Sequence, residues 1–480
     1  MQTATPRAQS ARIEFYRKTG KIHPRTVAGR YNSLRWAMVW LTQIIFYGAC
    51  WLRWDGRQAV LFDIAERKFY LFGLVLWPQD ALLLAVLLIA SATALFFVTA
   101  LAGRVFCGFA CPQTVYTAIF RWVEEKVEGD HLARMRLDQA PASARKSVLK
   151  GAKHSLWLAI ALWTGISFVG YFSPIDDLLP RLLAAEPGPW EGFWVYGYAT
   201  FTYLQAGFAR EMVCLHMCPY SRFQGVMVDP QTKNVAYDSA RGEPRGPIGK
   251  KQAATLKAAT ATASTAAASG GRTAQGDCVD CALCVQACPT GIDIRAGFQY
   301  ACINCGLCID ACDEVMTRIG IPTGLIRFAP EQTTARASGI PSALHRPRVQ
   351  AYLALLAVLI LAGVWLLSTR TPLTVDVLHD RQTLSRLTTD GRIENDYTLK
   401  VANMLEQPRR FRLQVDGPVG VHVAGSDTFE VPAGSVRALP VTLSLAADTD
   451  LHGAQSIHLV IDAVDGTPTR AVERTVFILP

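Results

Sequence analysis

The stretch from Cys278 to Pro289, CVDCALCVQACP, and the stretch from Cys302 to Cys312, CINCGLCIDAC, have the same cysteine spacing. Both read C-x2-C-x2-C-x3-C, which is the iron–sulfur spacing of bacterial two-cluster ferredoxins. Zinc ribbons use paired C-x2-C knuckles instead of four-cysteine runs. Disulfides would require an oxidising compartment, which the topology below argues against. The two stretches therefore predict a pair of [4Fe–4S] clusters.

The fourth cysteine of each run lies too far along the chain to close the cluster that the first three begin. We therefore predict crossed ligation, in which each run supplies its fourth cysteine to the other cluster. Asp313 follows the second run where a proline follows the first, but that proline only packs and ligates nothing. One cluster is assigned to Cys278, Cys281, Cys284 and Cys312, and the other to Cys302, Cys305, Cys308 and Cys288.

Half of the 480 residues are hydrophobic and only 18% are charged, and the apolar residues are clumped. Runs of roughly membrane-spanning length occupy residues 34–51, 81–102, 156–172, 193–209 and 349–368. Buried core helices are the alternative interpretation of the shorter runs. Five such runs with charged flanks favour five transmembrane helices.

The cations between these runs set the expected orientation. The first 35 residues carry eight Lys/Arg and the loop 103–155 carries nine, whereas the loop 173–192 carries one against four acids. Cationic loops stay in the cytoplasm. We therefore expect the amino terminus and the loops 103–155 and 210–348 to be cytoplasmic and the tail to be outside. The net charge of +9 then reflects these cations and requires no nucleic-acid partner.

The tail after the last apolar run has a different pattern. Residues 371–480 contain roughly seven short stretches in which apolar and polar residues alternate, as in β-strands. Turn pairs such as Asp416-Gly417 and Asp465-Gly466 separate them. This pattern is typical of an immunoglobulin-like sandwich. The tail has no cysteine, so only the architecture is predicted.

The predicted fold is multidomain: an α-helical membrane bundle, a bacterial-type two-cluster ferredoxin-like insert and an all-β immunoglobulin-like sandwich. The arm and the four-helix membrane domain occupy residues 1–33 and 34–210. A cytoplasmic segment with an Ala- and Thr-rich linker covers 211–275, and the ferredoxin-like domain covers 276–327. The fifth transmembrane helix covers 349–368, and the periplasmic sandwich covers 371–480.

Two C-x3-C-P motifs form a second cysteine set, at the predicted inner ends of helices two and four. Cysteines at i and i+4 share one helix face, so two such pairs would place four thiolates around one site. Soft sulfur ligands favour Cu(I). A third iron–sulfur cluster and a dithiol relay fit the same residues, and simple packing of the cysteines is the alternative. The candidate catalytic residues and metal ligands are Cys107, Cys111, Cys214 and Cys218, with Met212, His216 and Met217 as further metal donors.

Several segments together resemble the cytochrome c oxidase accessory protein family (CcoG/FixG/RdxA). They are GRVFCGFACPQTV at 103–115, EMVCLHMCPYSRFQ at 211–224 and CINCGLCIDACDEVM at 302–316, with QAVLFDIAERKF at 58–69 and RGEPRG at 241–246. The resemblance covers nearly everything after the amino-terminal arm. It implies a protein of the bacterial inner membrane that helps to mature cbb-type oxidases. It also implies a cupric reductase, which converts Cu(II) to Cu(I) before copper is delivered.

Reduction of Cu(II) needs one electron, and iron–sulfur clusters carry electrons singly. We therefore expect an electron path from a cytosolic donor, through two clusters, to copper at the C-x3-C-P site. The other expected partners are membrane lipid, copper-trafficking proteins and oxidase assembly proteins. One rival function is an electron-transfer subunit for a periplasmic reductase, although a β-sandwich tail without a flavin-attachment segment disfavours it. The second rival is a redox-sensing assembly scaffold, which a copper-reduction assay would separate.

Overall fold

The computed structural model describes residues 22–247, 276–330, 344–380, 384–448, 452–465 and 469–479. The chain forms two compact units. The first consists of Met1–Leu74 and Val86–Ile360, and the second of Val75–Ala85 and Leu361–Pro480. The predicted Ala- and Thr-rich linker falls within residues 248–275, outside the described residues.

Helices and a few short strands make up the described chain before the ferredoxin-like part. The helices are α1 (Arg30–Gly48), α2 (Ala81–Ala102), α3 (Val105–Phe109), α4 (Pro112–Glu128), α5 (His131–Gln139), α6 (Ala144–Val169), α7 (Ile175–Leu183) and α8 (Pro189–Leu204). The strands are β1 (Arg53–Trp54), β2 (Arg57–Gln58), β3 (Val60–Asp63), β4 (Lys68–Leu71) and β5 (Leu74–Leu76).

The helices α4, α6 and α8 share one apolar core. Trp157 on α6 is 1% exposed, stacks on Phe120 of α4 at 5.1 Å between ring centroids, and donates a hydrogen bond to the Phe120 carbonyl. A Cβ at Gly165 of α6 would lie 2.3 Å from the Val195 carbonyl oxygen of α8. Only glycine allows these two backbones to approach so closely.

Two helices of the described residues are long and apolar enough to cross a membrane. They are α2, extended back to Pro78, and the helix Pro347–Ser368. Almost none of the residues in their most apolar windows is buried, with 6% buried in the first and none in the second. An apolar surface of this extent is unfavourable in water. Both helices therefore have the length and the surface of membrane spans.

The three other predicted spans also form helices, but each of them is shorter or more charged than the two apolar helices. α1 contains Arg30 and Arg35, α6 has four Lys/Arg in its first ten residues, and α8 has only 16 residues. Each of the three nevertheless has exposed apolar side chains, such as Ile44 on α1 at 67%, Leu158 on α6 at 49% and Phe193 on α8 at 60%. The five-span arrangement therefore stays a prediction beyond the two clear helices.

The ferredoxin-like part combines short helices with a two-stranded sheet. β6 (Asn234–Tyr237) pairs antiparallel with β7 (Ile326–Ala329), so Asn234 lies opposite Ala329. The strand β6 comes from the segment that the sequence placed before this domain, which was predicted to begin at residue 276. The helices of this part are α9 (Pro219–Met227), α10 (Ser239–Gly242), α11 (Leu283–Ala287) and α12 (Leu307–Ile319), and α13 (Pro347–Ser368) follows.

The described part of the amino-terminal arm holds the start of α1 against α12. The Asp310 carboxylate on α12 accepts the backbone N–H groups of Tyr31 at 3.2 Å and Asn32 at 2.7 Å. These are first-turn N–H groups of α1 that have no partner inside the helix, and a carboxylate there is favoured by the helix dipole. The arm also donates a hydrogen bond from the Arg25 N–H to the Gln286 carbonyl at 2.8 Å.

The carboxyl-terminal part of the second unit is an antiparallel β-sandwich, as predicted. One sheet has the order β12-β14-β10-β8 with β9 beside β10, and the other has the order β13-β11-β15-β16. Inward side chains from both sheets, such as Leu399 and Phe411, are fully buried in one core. The strands are β8 (Leu373–His379), β9 (Arg386–Leu387), β10 (Arg392–Asn403), β11 (Arg409–Asp416), β12 (His422–Ala424), β13 (Thr428–Val431), β14 (Ser435–Ala446), β15 (Ala454–Ala463) and β16 (Arg470–Ile478).

Candidate redox centres

The eight ferredoxin-type cysteines surround two cavities of about 350 Å³ each. We name them the Cys302 cavity and the Cys278 cavity. Cys284 lines both of them, so the two cavities are neighbours. The other cysteines of the Cys302 cavity are Cys288, Cys302, Cys305 and Cys308, and those of the Cys278 cavity are Cys278, Cys281 and Cys312.

The fourth cysteine of each run therefore lines the cavity of the other run. The electrostatics agree with this arrangement, because burial and the charges of Cys305, Cys302 and Cys288 raise the pKa of Cys308. Burial, followed by the charges of Cys284, Asp313 and Cys278, raises the pKa of Cys312 to about 12. Buried thiols of this kind become thiolates when a cationic iron centre compensates their charge. The residues present thus fit two [4Fe–4S] clusters.

Asn304, a residue that the cysteine spacing does not mark, supports the Cys302 cavity. It is fully buried between Cys302 and Cys305, with a left-handed backbone φ of 53°. Asparagine tolerates this conformation better than most residues. Its Oδ1 atom accepts the Val235 N–H at 3.3 Å, and its Nδ2 atom donates to Asn234 Oδ1 at 2.8 Å. These bonds attach the cysteine loop to β6.

Each C-x3-C-P motif joins two backbone elements instead of lying on one helix. Cys111 and Cys218 have extended backbones with ψ of 130° and 113°, and each caps the helix that its proline begins, α4 or α9. Proline disfavours the helical conformation in the residue before it and is favoured at the first helical position. The prediction that both cysteines of a motif share one helix face is therefore wrong.

The two motifs nevertheless have matching local geometry. The Cys111 N–H donates to the Phe106 carbonyl at 2.9 Å, and the Cys218 N–H donates to the Val213 carbonyl at 2.8 Å. Each bond spans five residues and folds the motif into a wide turn. Cys111 and Cys218 consequently lie at helix amino termini, where the helix dipole favours negative charge.

The four motif cysteines, which we call the C-x3-C-P tetrad, interact electrostatically with one another. Burial raises the pKa of Cys214 to about 12, and the charges of Cys111, Cys107 and Cys218 act in the same direction. Burial also raises the pKa of Cys107 to about 11, although the Arg104 guanidinium opposes this shift. The fold thus brings the four thiols from two distant segments into one region.

Gln224 and Arg104 link the tetrad to the ferredoxin-like part. Gln224 is fully buried, and its Oε1 atom accepts hydrogen bonds from Cys107 Sγ and from Arg104 Nε, both at 3.1 Å. Arg104 is 2% exposed, and its Nη1 atom donates to the carbonyl oxygens of Tyr300 and Cys302. One guanidinium therefore lies between the first C-x3-C-P motif and the Cys302 cavity.

Direct packing joins the same two regions. Cys107 belongs to one apolar cluster with Ile303, Cys305 and Leu307. A Cβ at Gly108 would lie 2.7 Å from the Ile303 carbonyl oxygen and 2.9 Å from the Cys305 Cα. Any larger residue at Gly108 would push the motif away from the cysteine loop. The glycine in C-G-F-A-C-P therefore has a packing reason that its sequence alone does not reveal.

We expect Arg104→Gln to lower the reduction potential of the cluster in the Cys302 cavity. The buried guanidinium favours the more negative, reduced cluster, so its neutral replacement removes that stabilisation. The expected decrease is about 60 mV, which corresponds to a tenfold change in a one-electron equilibrium. Redox titration followed by EPR measures it. Arg136→Gln, on an exposed position of α5, is the matched control, and an equal shift in both variants would contradict the assignment.

The additional donors near the second motif differ from the cysteines in exposure. Met212 and Met217 are 45% and 66% exposed, and His216 is also exposed. The four cysteines are buried or half-buried. The enclosed ligand set is therefore the tetrad alone, and the methionines and the histidine lie on the surface next to it in sequence.

Across the described ranges, no three or more His, Cys, Asp or Glu side chains are grouped to hold a metal ion. This finding covers the eight ferredoxin-type cysteines as well as the tetrad.

Comparison with known proteins gives three family matches along the chain. Residues 84–128 match a model described as a 4Fe-4S binding domain, and residues 209–331 match a 4Fe-4S dicluster domain. Residues 363–480 match the IG-like fold at the C-terminus of FixG. The first match contains Cys107 and Cys111, and the second contains Cys214, Cys218 and the eight ferredoxin-type cysteines. Iron–sulfur domains therefore cover all twelve motif cysteines.

Relatives match over most of the chain. Protein RdxA of Cereibacter sphaeroides is 39% identical over 448 residues, which cover 90% of each chain. Nitrogen fixation protein FixG of Rhizobium meliloti is 37% identical over 465 residues, covering 89% of this chain and 86% of FixG. A solved FixG-related protein from Vibrio parahaemolyticus is 28% identical, covers 23% of this chain and 97% of that chain, and has a TM-score of 0.21.

Proposed function

Since the chain belongs to the FixG/RdxA family of iron–sulfur proteins, we propose that it is a membrane-bound reductase that converts Cu(II) to Cu(I). The copper would then be delivered to cbb-type cytochrome c oxidases during their maturation. The clusters, when bound, would supply single electrons at low potential. The role of the polypeptide is to hold the clusters next to the site where copper is reduced.

The observation that carries this proposal is the contact between the Cys302 cavity and the C-x3-C-P tetrad. Cys107 and Cys305 pack in the same apolar cluster, with Gly108 against the backbone between Ile303 and Cys305. No layer of solvent or loop separates the two cysteine sets at this point. An arrangement that only sensed redox state would not need the second cysteine set to touch the first.

We propose that the tetrad holds a third iron–sulfur cluster and that copper is the substrate. The sequence left copper, a cluster and a dithiol relay open for these cysteines. The match of residues 84–128 to a 4Fe-4S binding domain supports a cluster. The helix amino termini at Cys111 and Cys218 favour a negatively charged centre.

Copper would meet the protein at the exposed donors of the second motif. Met212, His216 and Met217 provide two thioethers and an imidazole within a few residues of Cys214 and Cys218. Thioether ligands favour Cu(I) over Cu(II), so this surface would bind the product of the reduction more tightly than the substrate. Preference for the reduced ion makes electron transfer to copper more favourable.

Copper reduction by the isolated protein tests the proposal. Protein reduced with dithionite and freed of excess reductant is mixed anaerobically with Cu(II), and Cu(I) is captured by a chromogenic chelator. We expect one Cu(I) for each electron stored, with loss of the reduced-cluster EPR signals on the same time course. Cys50→Ser, which changes the one cysteine outside the motifs, should react like the unchanged protein. Reduced clusters that persist in the presence of Cu(II) would contradict the function.

The proposed orientation places the ferredoxin-like part in the cytoplasm and the sandwich in the periplasm of a bacterial inner membrane. It is supported by the cations before α1 and between α2 and α6. An alkaline phosphatase fusion after Ser368 should be active, and one after Arg327 should be inactive, because the enzyme folds only outside the cytoplasm. Equal expression of both fusions is checked by immunoblot. The opposite activity pattern would overturn the orientation.

A further inference from the structure

An open groove runs along α1 where it meets α4 and α6. The groove has a volume of about 1950 Å³, and the tryptophans Trp36, Trp40, Trp122 and Trp163 form much of its wall. Gln43 of α1 also lines it. This side chain is 8% exposed, and its Oε1 atom has no hydrogen-bond partner among the described residues. A buried amide oxygen without a partner is costly, and a ligand donor would satisfy it.

The groove continues into a more polar cavity of about 620 Å³. Trp36, Val39, Trp122 and Glu125 line both spaces, so the two form one continuous site. Arg35 lines the cavity and is 8% exposed. Within the described residues it forms no ion pair with a carboxylate, and its Nε atom has no hydrogen-bond partner. A buried guanidinium that lacks a carboxylate partner favours a ligand group with oxygen atoms that accept its hydrogen bonds.

The polar cavity ends at the ferredoxin-like part. Ala287 and Leu307 line it, and they are the chain neighbours of Cys288 and Cys308, two cysteines of the Cys302 cavity. The site is thus apolar and aromatic along its length and polar at one end. That polar end adjoins the cysteines that fit a one-electron centre.

From this arrangement we propose that the groove and cavity bind a membrane quinol, which is the electron donor of the protein. This inference rests on the proposed function and replaces the cytosolic donor expected from the sequence. The isoprenoid tail lies between the tryptophans, and Arg35 donates hydrogen bonds to a ring oxygen. Oxidation breaks both quinol O–H bonds and forms the two quinone C=O bonds. The two protons pass by way of the Glu125 carboxylate to water. The two electrons would be accepted singly by the cluster that Cys288 and Cys308 would help to hold, and they would reduce two Cu(II) to two Cu(I).

A phospholipid would also fit an apolar groove with a cationic end, but the position of the site favours a quinol. A phospholipid has no use for the neighbouring cysteines, whereas a redox-active ring gains an electron acceptor there. Glu125 lines the polar end and provides a carboxylate that can accept a proton, which a ring that releases protons needs and a phosphate does not. The quinol therefore uses Arg35 and Glu125, whereas Arg121 and Arg134, which also line the cavity, form ion pairs with Glu211 and Glu124.

Binding is tested on the full chain with its clusters, in nanodiscs of neutral phospholipid. An azido-quinone is photolysed in the presence of the protein, and labelled peptides are identified by mass spectrometry. We expect label on α1 and α4, displaced by decylubiquinone. Arg35→Gln should weaken displacement tenfold or more, and Arg136→Gln should leave it unchanged. Label spread over all lipid-facing helices, or label displaced equally by added phospholipid, would overturn the site.

Electron transfer is tested by adding decylubiquinol anaerobically to the oxidised protein and recording EPR spectra. We expect reduced-cluster signals in the unchanged protein and at least a tenfold slower rate in Ala118→Phe, which fills the polar cavity without changing its charge. Dithionite should reduce both proteins equally, which shows that the clusters of the variant are intact. If decylubiquinol reduces neither protein while the dithionite-reduced chain still reduces Cu(II), the quinol site is wrong and the proposed function stands. If quinol reduces both proteins at one rate, the cavity is not the site of entry.

Discussion

Replacement of Cys288 by serine is expected to remove the cluster of the Cys302 cavity and to spare the cluster of the Cys278 cavity. Cys288 follows the first cysteine run along the chain, yet it lines the cavity of the second. Serine has nearly the same size but is a much poorer ligand for iron in such clusters. We expect roughly four iron atoms per chain to be lost, or the cluster to be degraded to a three-iron form.

Iron and sulfide analysis together with EPR of the reduced protein measures this loss. Magnetic coupling between two neighbouring reduced clusters should disappear from the spectrum, leaving the signal of one cluster. Cys312→Ser is the matched variant, because it occupies the same place in the other run and should remove the opposite cluster. If Cys288→Ser removes the cluster of Cys278 and Cys281 instead, the crossed arrangement is wrong.

The cysteine spacing predicted the ferredoxin-like part well because ligand spacing is a local property of the chain. Three thiolates two residues apart can wrap a single cluster whatever surrounds them. The contacts that hold the cysteine loop in place could not be predicted from ligand spacing. Asn304 attaches it to β6, which lies 70 residues earlier in the chain, and no local pattern marks that partner. The same holds for Asp310, which binds the start of α1 across 278 residues.

The C-x3-C-P motifs show where periodicity misleads. A spacing of four residues suggests one helix face, but the proline after each second cysteine starts a new helix instead. The rule that the residue before proline avoids the helical conformation contains this information. The approach of the two motifs to one region was predicted. The close contact of Gly108 with the cysteine loop was not, because it depends on tertiary packing.

A membrane-spanning helix is easier to predict from the sequence when its apolar run contains fewer charged residues. The uncharged run 81–102 and the run 349–368 both became helices of spanning length, because nothing in them competes with an apolar surrounding. Arg35 illustrates why α1 is harder to judge. It interrupts the apolar pattern, yet the fold buries it beside the ferredoxin-like part, where its charge acts on Cys305. The alternating pattern of the tail, in contrast, predicted the sandwich and its longer strands, although the short strands β9 and β13 were missed.

Combined replacement of Cys107, Cys111, Cys214 and Cys218 by serine is expected to abolish copper reduction and to leave both ferredoxin-type clusters in place. The tetrad lies outside the two cavities that the eight other cysteines line, so those ligands are unchanged. If the tetrad holds a third cluster, iron content should also decrease by roughly four atoms per chain. The rate of Cu(I) formation by the dithionite-reduced protein should fall by about 100-fold or more, because the terminal centre is missing.

A second variant distinguishes this effect from loss of copper binding. Met212→Leu combined with Met217→Leu removes the exposed thioethers and keeps the tetrad, so iron content should be unchanged while copper affinity decreases. If the tetrad variant keeps all of its iron but loses Cu(I) binding, the four cysteines form a copper site, as the sequence first suggested. If it keeps its iron and reduces copper at the normal rate, neither assignment holds, and electrons must leave the ferredoxin-like part by a route that avoids Cys107.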